Sequence, residues 1–339
     1  MLHSEAMEKP LTGARLHDSF LSTTDSAAPP PAPLTVSGDP IRLDRFLLAH
    51  WPAAGLGRRR LGAIFSTGGI RVNGRPARKG TIVRAGDTIT LAGWSLETPS
   101  PPPSTPLTVL YNDDDLVAVD KPPGMPATIG RTPGPSLASA LLARFPEMAA
   151  LDDARHAGLV HRLDTGTSGL LLAARHPSAY TRLRNAFTHK TVQKDYLAIV
   201  GGRIEEAQVV TVPLARHRRS RGRMVVARAL TKAWPARTEI TPIEGDGDLT
   251  VVRLRMRTGV THQLRVHLAL LGHPIVGDAR YGTRAVDRLI GMSTPSWHFL
   301  HAWTIAFDDA DLPRGIVTAF PAHWRPLFAA RHWSTEIDA

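Results

Sequence analysis

One aspartate is set apart by its neighbours. Asp164 stands in His161-Arg162-Leu163-Asp164-Thr165-Gly166-Thr167-Ser168, a polar, glycine-punctuated stretch, and an apolar run over 169–174 follows at once. A short apolar run bounded by turn residues reads as a buried strand. A carboxylate at the lip of such a strand is aimed by rigid backbone, as catalytic groups need to be. The same residues also fit a turn aspartate that caps its own backbone, and the window alone leaves both open. Tyr196, in an alternating stretch over 194–200, offers an aromatic face that can stack on a planar ring; a packed core tyrosine fits that pattern too. Arg265 falls near the first turn of a helix expected over 261–271, capped by Thr261 and ended near Gly272, with Leu264, Leu268 and Leu271 as its buried face. A cation there is slightly disfavoured by the helix dipole, so another group should hold it. His262 and His267 have no carboxylate support in the sequence and read as structural, and Asp113, Asp114 and Asp115 read as a charged turn before a strand rather than a metal site. No metal or cofactor is expected.

These residues lie in the second of two folded units. Strands are expected near 107–111, 116–120, 169–174, 194–200 and 249–256, and helices near 136–145, 178–189 and 261–271. The two do not alternate regularly, which predicts an α+β fold with a mostly antiparallel mixed sheet spanning residues 107–330. Before it, residues 98–106 are proline-dense and form a semi-rigid linker. Residues 39–97 form a small α/β unit: a helix opening with Ile41, Leu43, Phe46 and Leu47, a second from Arg58, then short strands around Asn73-Gly74, a strong hairpin-turn pair. Residues 1–38 are polar, end in a proline run and lack hydrophobic periodicity, which reads as a disordered tail.

The 339 residues are 42% hydrophobic and carry a net charge of +11. Residues 41–97 hold ten Lys or Arg against three acids, so +7 of the excess sits in that unit. Such a patch points to a polyanion, nucleic acid above all. Arg58, Arg59 and Arg60, with Arg75, Arg78 and Lys79, can form one phosphate-facing surface. A second basic cluster, Arg216–Arg223, packs five arginines into eight residues; Arg218, Arg219 and Arg221 are its candidate RNA contacts. The chain has no cysteine, which excludes disulfides, thiolate metal sites and thiol catalysis. No signal-peptide core and no 18-residue apolar run is evident, so a cytoplasmic protein without a membrane partner is expected, and a monomer is the default. There is no Rossmann fingerprint or phosphate-binding glycine loop.

Two families share pieces of the Asp164 string. Asp164-Thr165-Gly166-Thr167-Ser168 resembles the active-site loop of an aspartic peptidase. That chemistry needs two carboxylates sharing a proton, and without a second Asp-Thr-Gly or Asp-Ser-Gly the chain would have to dimerise. The longer string His-Arg-Leu-Asp-x-x-Thr-Ser-Gly-Leu-Leu-Leu resembles the signature of the RluA family of RNA pseudouridine synthases over twelve positions. Leu116-Val117-Ala118-Val119-Asp120-Lys121-Pro122-Pro123-Gly124, Lys194-Asp195-Tyr196-Leu197-Ala198 and Gly259-Val260-Thr261-His262-Gln263-Leu264-Arg265-Val266-His267-Leu268 resemble three further segments of that family. Val260 stands where the family usually has arginine. Residues 42–47, 69–75 and 85–89 of the small unit resemble an S4-like RNA-binding domain. The resemblance implies isomerisation of uridine to pseudouridine in structured RNA: Asp164 acts on the sugar by attack or proton abstraction, Arg265 pairs with it, Tyr196 stacks on the flipped base and Arg162 holds phosphate. It favours ribosomal over transfer RNA. A catalytically silent RNA-binding protein is the alternative from another class.

Overall fold

The computed structural model describes residues 32–337, apart from 51–63, 66–67, 92–105, 131–133, 152–154, 221, 228–231, 292–294 and 310–311. Of the expected helix from Arg58, only Ile64 and Phe65 are described, and they are helical and pack on the core of the small unit; residues Arg58, Arg59, Arg60 and Arg221 and nearly all of the linker lie outside the described residues.

In the small unit, helix Leu43–His50 buries Leu43, Phe46 and Leu47 against Val36, Ile70, Val83 and Ile89. Strands Ile70–Val72 and Arg75–Pro76 pair across Asn73 and Gly74, both at positive φ, as the hairpin pair predicts. One boundary moves. Leu34–Thr35 pairs with Thr88–Leu91, and Val36 is 2% exposed. Residues 34–36 thus belong to this unit and not to the tail, because an apolar Leu-x-Val set completes a core too small to do without it. Arg75, Arg78 and Lys79 are exposed.

The larger unit is built on a nine-stranded sheet. Its strands are β1 (Thr108–Asn112), β2 (Leu116–Lys121), β3 (Ser168–Ala174), β4 (Val192–Gly201), β5 (Gln208–Val210), β6 (Thr238–Gly245), β7 (Leu249–Met256), β8 (Leu300–Phe307) and β9 (Gly315–Val317). The order is β5-β6-β7-β4-β8-β3-β2-β1, with β9 added on β8. Every pairing is antiparallel except β3 with β8, so the sheet is mixed and mostly antiparallel. All seven residues of β3 are buried, which is why it reads as a continuous apolar run rather than an alternation. Gly169 sits at φ +105 where β3 meets β8, and a Cβ there would stand 2.2 Å from the Ala302 carbonyl oxygen. Only glycine lets the two backbones approach and bring the start of β3 into register with His301.

Helices α1 (Leu137–Arg144), α2 (Pro177–His189), α3 (Gln263–Leu270) and α4 (Arg325–Arg331) surround the sheet. A reciprocal Ser136–Ser139 capping box starts α1, and Pro177 in the first turn starts α2. The fold runs past the expected end at residue 330: Trp333 is 8% exposed and Ile337 packs on the core. The strand β8 and the small sheet of Leu214–Arg216, Met224–Val226 and Ala233–Trp234 are also additions to the expected elements.

Candidate active site

Asp164 lies between Val160 and the start of β3, in a loop pinned from both sides. The Lys121 ammonium is fully buried and donates to the carbonyls of Pro122, Met125 and Thr165. Gly124 N–H donates to the same Thr165 carbonyl, and Thr167 N–H to that of Asp164. On the other side, Thr167 Oγ1 meets His298 Nε2 at 2.8 Å and Ser168 Oγ meets His301 Nδ1 at 2.9 Å. Burial pushes Lys121 down to about 8, with Asp164 and Asp120 opposing the fall. Burial likewise holds His298 at about 4 and His301 at about 3, so both rings stay neutral at physiological pH.

The cation expected at the start of α3 is held by two carboxylates. Arg265 donates from Nη1 to Asp164 Oδ2 at 2.7 Å, and from Nε and Nη2 to the two oxygens of Asp278 at 2.7 and 2.8 Å. Asp278 is fully buried as a side chain and accepts further bonds from the N–H groups of Arg280 and Tyr281. Burial alone would raise the Asp278 carboxyl, but Arg265 outweighs it and leaves the group below the usual carboxylate range. The Arg265 guanidinium lies over the Tyr281 ring at 5.1 Å. A fork fixed at two corners in this way aims its third N–H at Asp164.

Thr261 is not the cap of α3. His262 occupies that position at φ +56, without a side-chain cap bond. The left-handed turn sends its ring inward, with Nδ1 at 2.8 Å from the Tyr281 hydroxyl and Nε2 at 3.6 Å from Asp164 Oδ1. Burial lowers the His262 pKa, opposed in part by Asp164. His262 therefore belongs to the site rather than to the framework. His267 is structural: fully buried, it meets Thr238 Oγ1 and the Val212 carbonyl. The turn before α3 is locked by Gln263, whose side chain bonds Thr258, Val260 N, Thr238 and the Arg237 carbonyl. Helix α3 is buried from Gln263 through Leu268, so the narrower Leu264–Leu268–Leu271 face understates its packing. Val260, in place of the family arginine, packs on the apolar cluster of Leu214, Met224, Ala236 and Val266.

Asp164, Arg265, Tyr196 and Arg162 all line one open cleft of about 380 Å³, within the ~300–1,000 Å³ range of ligand pockets. Tyr196 is 5% exposed. Burial, reinforced by the Asp164 charge, raises its phenol well above the ordinary value, so the ring faces the cleft neutral. Arg162 is exposed at the mouth. Among the described lining residues, six are Lys or Arg (Arg162, Arg184, Lys190, Lys194, Arg257 and Arg265) against a single carboxylate, Asp164. The cleft therefore attracts an anionic polymer while offering one carboxylate to whatever enters.

The chain matches the family described as RNA pseudouridylate synthase over residues 115–270. It is 34% identical over 279 residues to an uncharacterized RNA pseudouridine synthase of Mycobacterium bovis, covering 79% of this chain and 88% of that protein. It is 38% identical over 241 residues to ribosomal large subunit pseudouridine synthase D of Vibrio parahaemolyticus, covering 68% and 70%. The chain belongs to the RluA family of RNA pseudouridine synthases. Among solved structures, human RNA Pseudouridylate Synthase Domain Containing 1 superposes with a TM-score of 0.53 at 26% identity, over 67% of this chain and 90% of that one. The enzyme is an isomerase that converts uridine to pseudouridine in RNA.

The peptidase resemblance falls with this. Among the described residues the carboxylate that shares Arg265 with Asp164 is Asp278, and the guanidinium stands between them, so these two do not share a proton. Arg218 and Arg219 lie away from the Asp164 cleft, exposed along a second groove of about 960 Å³ on the hairpin Leu214–Arg216/Met224–Val226. That hairpin is tied to the site: Met224 N–H donates to the Tyr281 hydroxyl, and Arg223 lies 5.8 Å above the Tyr281 ring. His262, Asp278, Tyr281 and Lys194 escaped the sequence reading as site residues. No spacing rule marks Asp278 or Tyr281; Lys194 stood in the quoted Tyr196 segment, two residues away on the same strand face. Among the described residues no group of three or more potential metal ligands is found, and no helix is long and apolar enough to cross a membrane.

Proposed function

We propose that the synthase modifies uridine in ribosomal RNA of the large subunit, with Asp164 as the catalytic carboxylate. The observation that carries the site assignment is the 2.7 Å Arg265–Asp164 bond on a cleft whose described lining holds six Lys or Arg and one carboxylate. Phosphates flanking the target engage that cationic rim, Arg162 among them, while the uridine leaves its stack and enters the cleft. Tyr196 stacks on the base. Arg265, already paired through Asp278, orients Asp164 through the bond from its Nη1 to Oδ2. Asp164 then acts on the sugar, the C1′–N1 bond breaks, the uracil turns, and C5 bonds to C1′. The hydrogen on C5 leaves as a proton and N1 gains one, so atoms balance with no redox partner.

The ribosomal substrate is supported by the relatives named ribosomal large subunit pseudouridine synthase D in Vibrio and Xanthomonas species. The basic S4-like unit, with Arg75, Arg78, Lys79 and Arg58–Arg60, supplies a second grip on phosphate, and Arg218, Arg219 and Arg221 a third, in a monomeric enzyme of the cytoplasm. Mapping pseudouridines in total RNA from cells with and without the gene tests this: loss of a large-subunit site is expected. Loss confined to transfer RNA contradicts it.

A further inference from the structure

Among the described residues, Lys194 is a buried cation with no carboxylate paired to it. It is 7% exposed, yet it lines the cleft. Among the described residues no carboxylate forms an ion pair with it; its ammonium donates to the Thr258 carbonyl at 3.3 Å and stands 5.7 Å from the centre of the Phe187 ring. The groups packed around it offer no charge to pair with. His161 is stacked on Phe187, accepts from Leu172 N–H and is held neutral by burial. Arg184 donates to the Val160 carbonyl, and Lys190 and Arg257 add only positive charge. Removing an ammonium from water costs several kcal/mol, and a single carbonyl does not repay that. An unpaired charge facing a cleft is a signature of a functional group rather than a structural one.

Lys194 also stands two residues before Tyr196 on β4, so the two side chains leave the same face of the sheet. Both side chains line the same cleft, the space that a base stacked on Tyr196 enters. When the C1′–N1 bond breaks, its electron pair leaves on the uracil and spreads over N1 and the two carbonyl oxygens. We propose that Lys194 is a catalytic residue that donates a hydrogen bond to this departing uracil anion. The assignment rests on the roles given above to Asp164 and Tyr196. The charge is absent in the bound uridine and absent again once C5 has bonded to C1′, so the ammonium acts mainly on the barrier between them. Burial lowers Lys194 to about 8, which keeps most of it protonated at neutral pH and loses it in mild base.

The test compares wild type, Lys194→Met and Lys194→Arg in single turnover on RNA tritiated at uridine C5, with RNA affinity measured across a salt series. Lys194→Met should lower the saturating rate by about 10²–10³-fold, the usual cost of one donor to a developing anion, with affinity and salt slope unchanged. Lys194→Arg, which keeps the charge, should recover part of the loss. An unchanged rate in a folded Lys194→Met would overturn the proposal. So would a saturating rate near wild type with a salt slope about one unit shallower, the mark of a backbone phosphate contact. The wild-type rate supplies a check that needs no variant: it should fall above about pH 8, and a flat profile to pH 9.5 would also overturn the assignment. Lys121 titrates in the same range, so the fall is assigned by comparing profiles: it should be shallower in Lys194→Met than in wild type, and two profiles of identical shape would count against Lys194. Failure of the underlying site assignment is separable, because Asp164→Asn would then remain active whatever Lys194 does.

Discussion

Replacing Asp278 by Asn keeps the side-chain size and removes one charge. The carboxylate is fully buried and receives four hydrogen bonds, two from Arg265 and one each from Arg280 and Tyr281 N–H. An amide turns one acceptor into a donor facing groups that also donate, and leaves Arg265 with only Asp164, whose side chain is 22% exposed. Breaking one partner of a buried ion pair costs about 3–5 kcal/mol, and the surviving Asp164 contact places the expected loss near the lower end. In a unit of this size that is a fall in Tm of about 6–12 °C. By contrast, Arg257–Asp308 is about half exposed on both sides, and Asp308→Asn should cost no more than about 1 kcal/mol. Catalysis should suffer as well: with the fork freed, Nη1 no longer aims at Asp164, and misplacing a catalytic contact by about 1 Å costs on the order of 10²-fold. Urea unfolding and single-turnover tritium release measure the two effects. An Asp278→Asn enzyme with a wild-type midpoint and a rate within threefold of wild type would refute the reasoning.

Tyr196→Phe should keep most of the single-turnover rate and Tyr196→Ala should lose it, since stacking is worth about 1–3 kcal/mol per base; equal damage by both would give the hydroxyl a chemical role. Deleting residues 1–98 should flatten the salt dependence of log K by roughly 2–3 units if the small unit meets about three phosphates, while the saturating rate on a short RNA changes little; an unchanged slope would remove RNA binding from that unit. Stability should fall in mild acid. His161, His298 and His301 are held at about 3, 4 and 3 by burial, so the unfolded chain binds protons below pH 6.5 that the native state refuses. The contribution is present above 6.5 and is lost as pH falls, by about 2 kcal/mol for each ring at pH 5; urea midpoints equal at pH 7.5 and 5.0 would contradict it.

What the sequence revealed was local. The 169–174 run, the alternating 194–200 stretch and the 249–256 strand are all regular elements in the fold, because each carries its own period or run length. Asp164, Tyr196 and Arg265 were found through strings of neighbours. Their meeting was not derivable from periodicity, since Asp164 and Arg265 are 101 positions apart and only the sheet order brings β3 and α3 to one cleft. The inward His262 followed from a left-handed backbone turn that no pattern marks. Asp278 lies in a loop without periodicity, and Lys194 looked like an ordinary polar start to a strand until its burial was known. Strand β8 carries no sequence signal, because its Leu-His-Ala-Trp-Thr-Ile-Ala-Phe stretch neither alternates cleanly nor forms a continuous apolar run. Residues 34–36 read as tail because two apolar residues, Leu34 and Val36, are too few for a periodic signal.

The central claim is that Asp164 performs the chemistry and that the rest of the cleft positions RNA around it. Asp164→Asn tests it most directly, assayed by single-turnover tritium release from uridine C5 alongside RNA binding. Loss of the single carboxylate among the described lining residues of the cleft should cost at least ~10⁴-fold in rate, or about 5.5 kcal/mol, with affinity within a few-fold of wild type. Turnover within tenfold of wild type would contradict the assignment of Asp164.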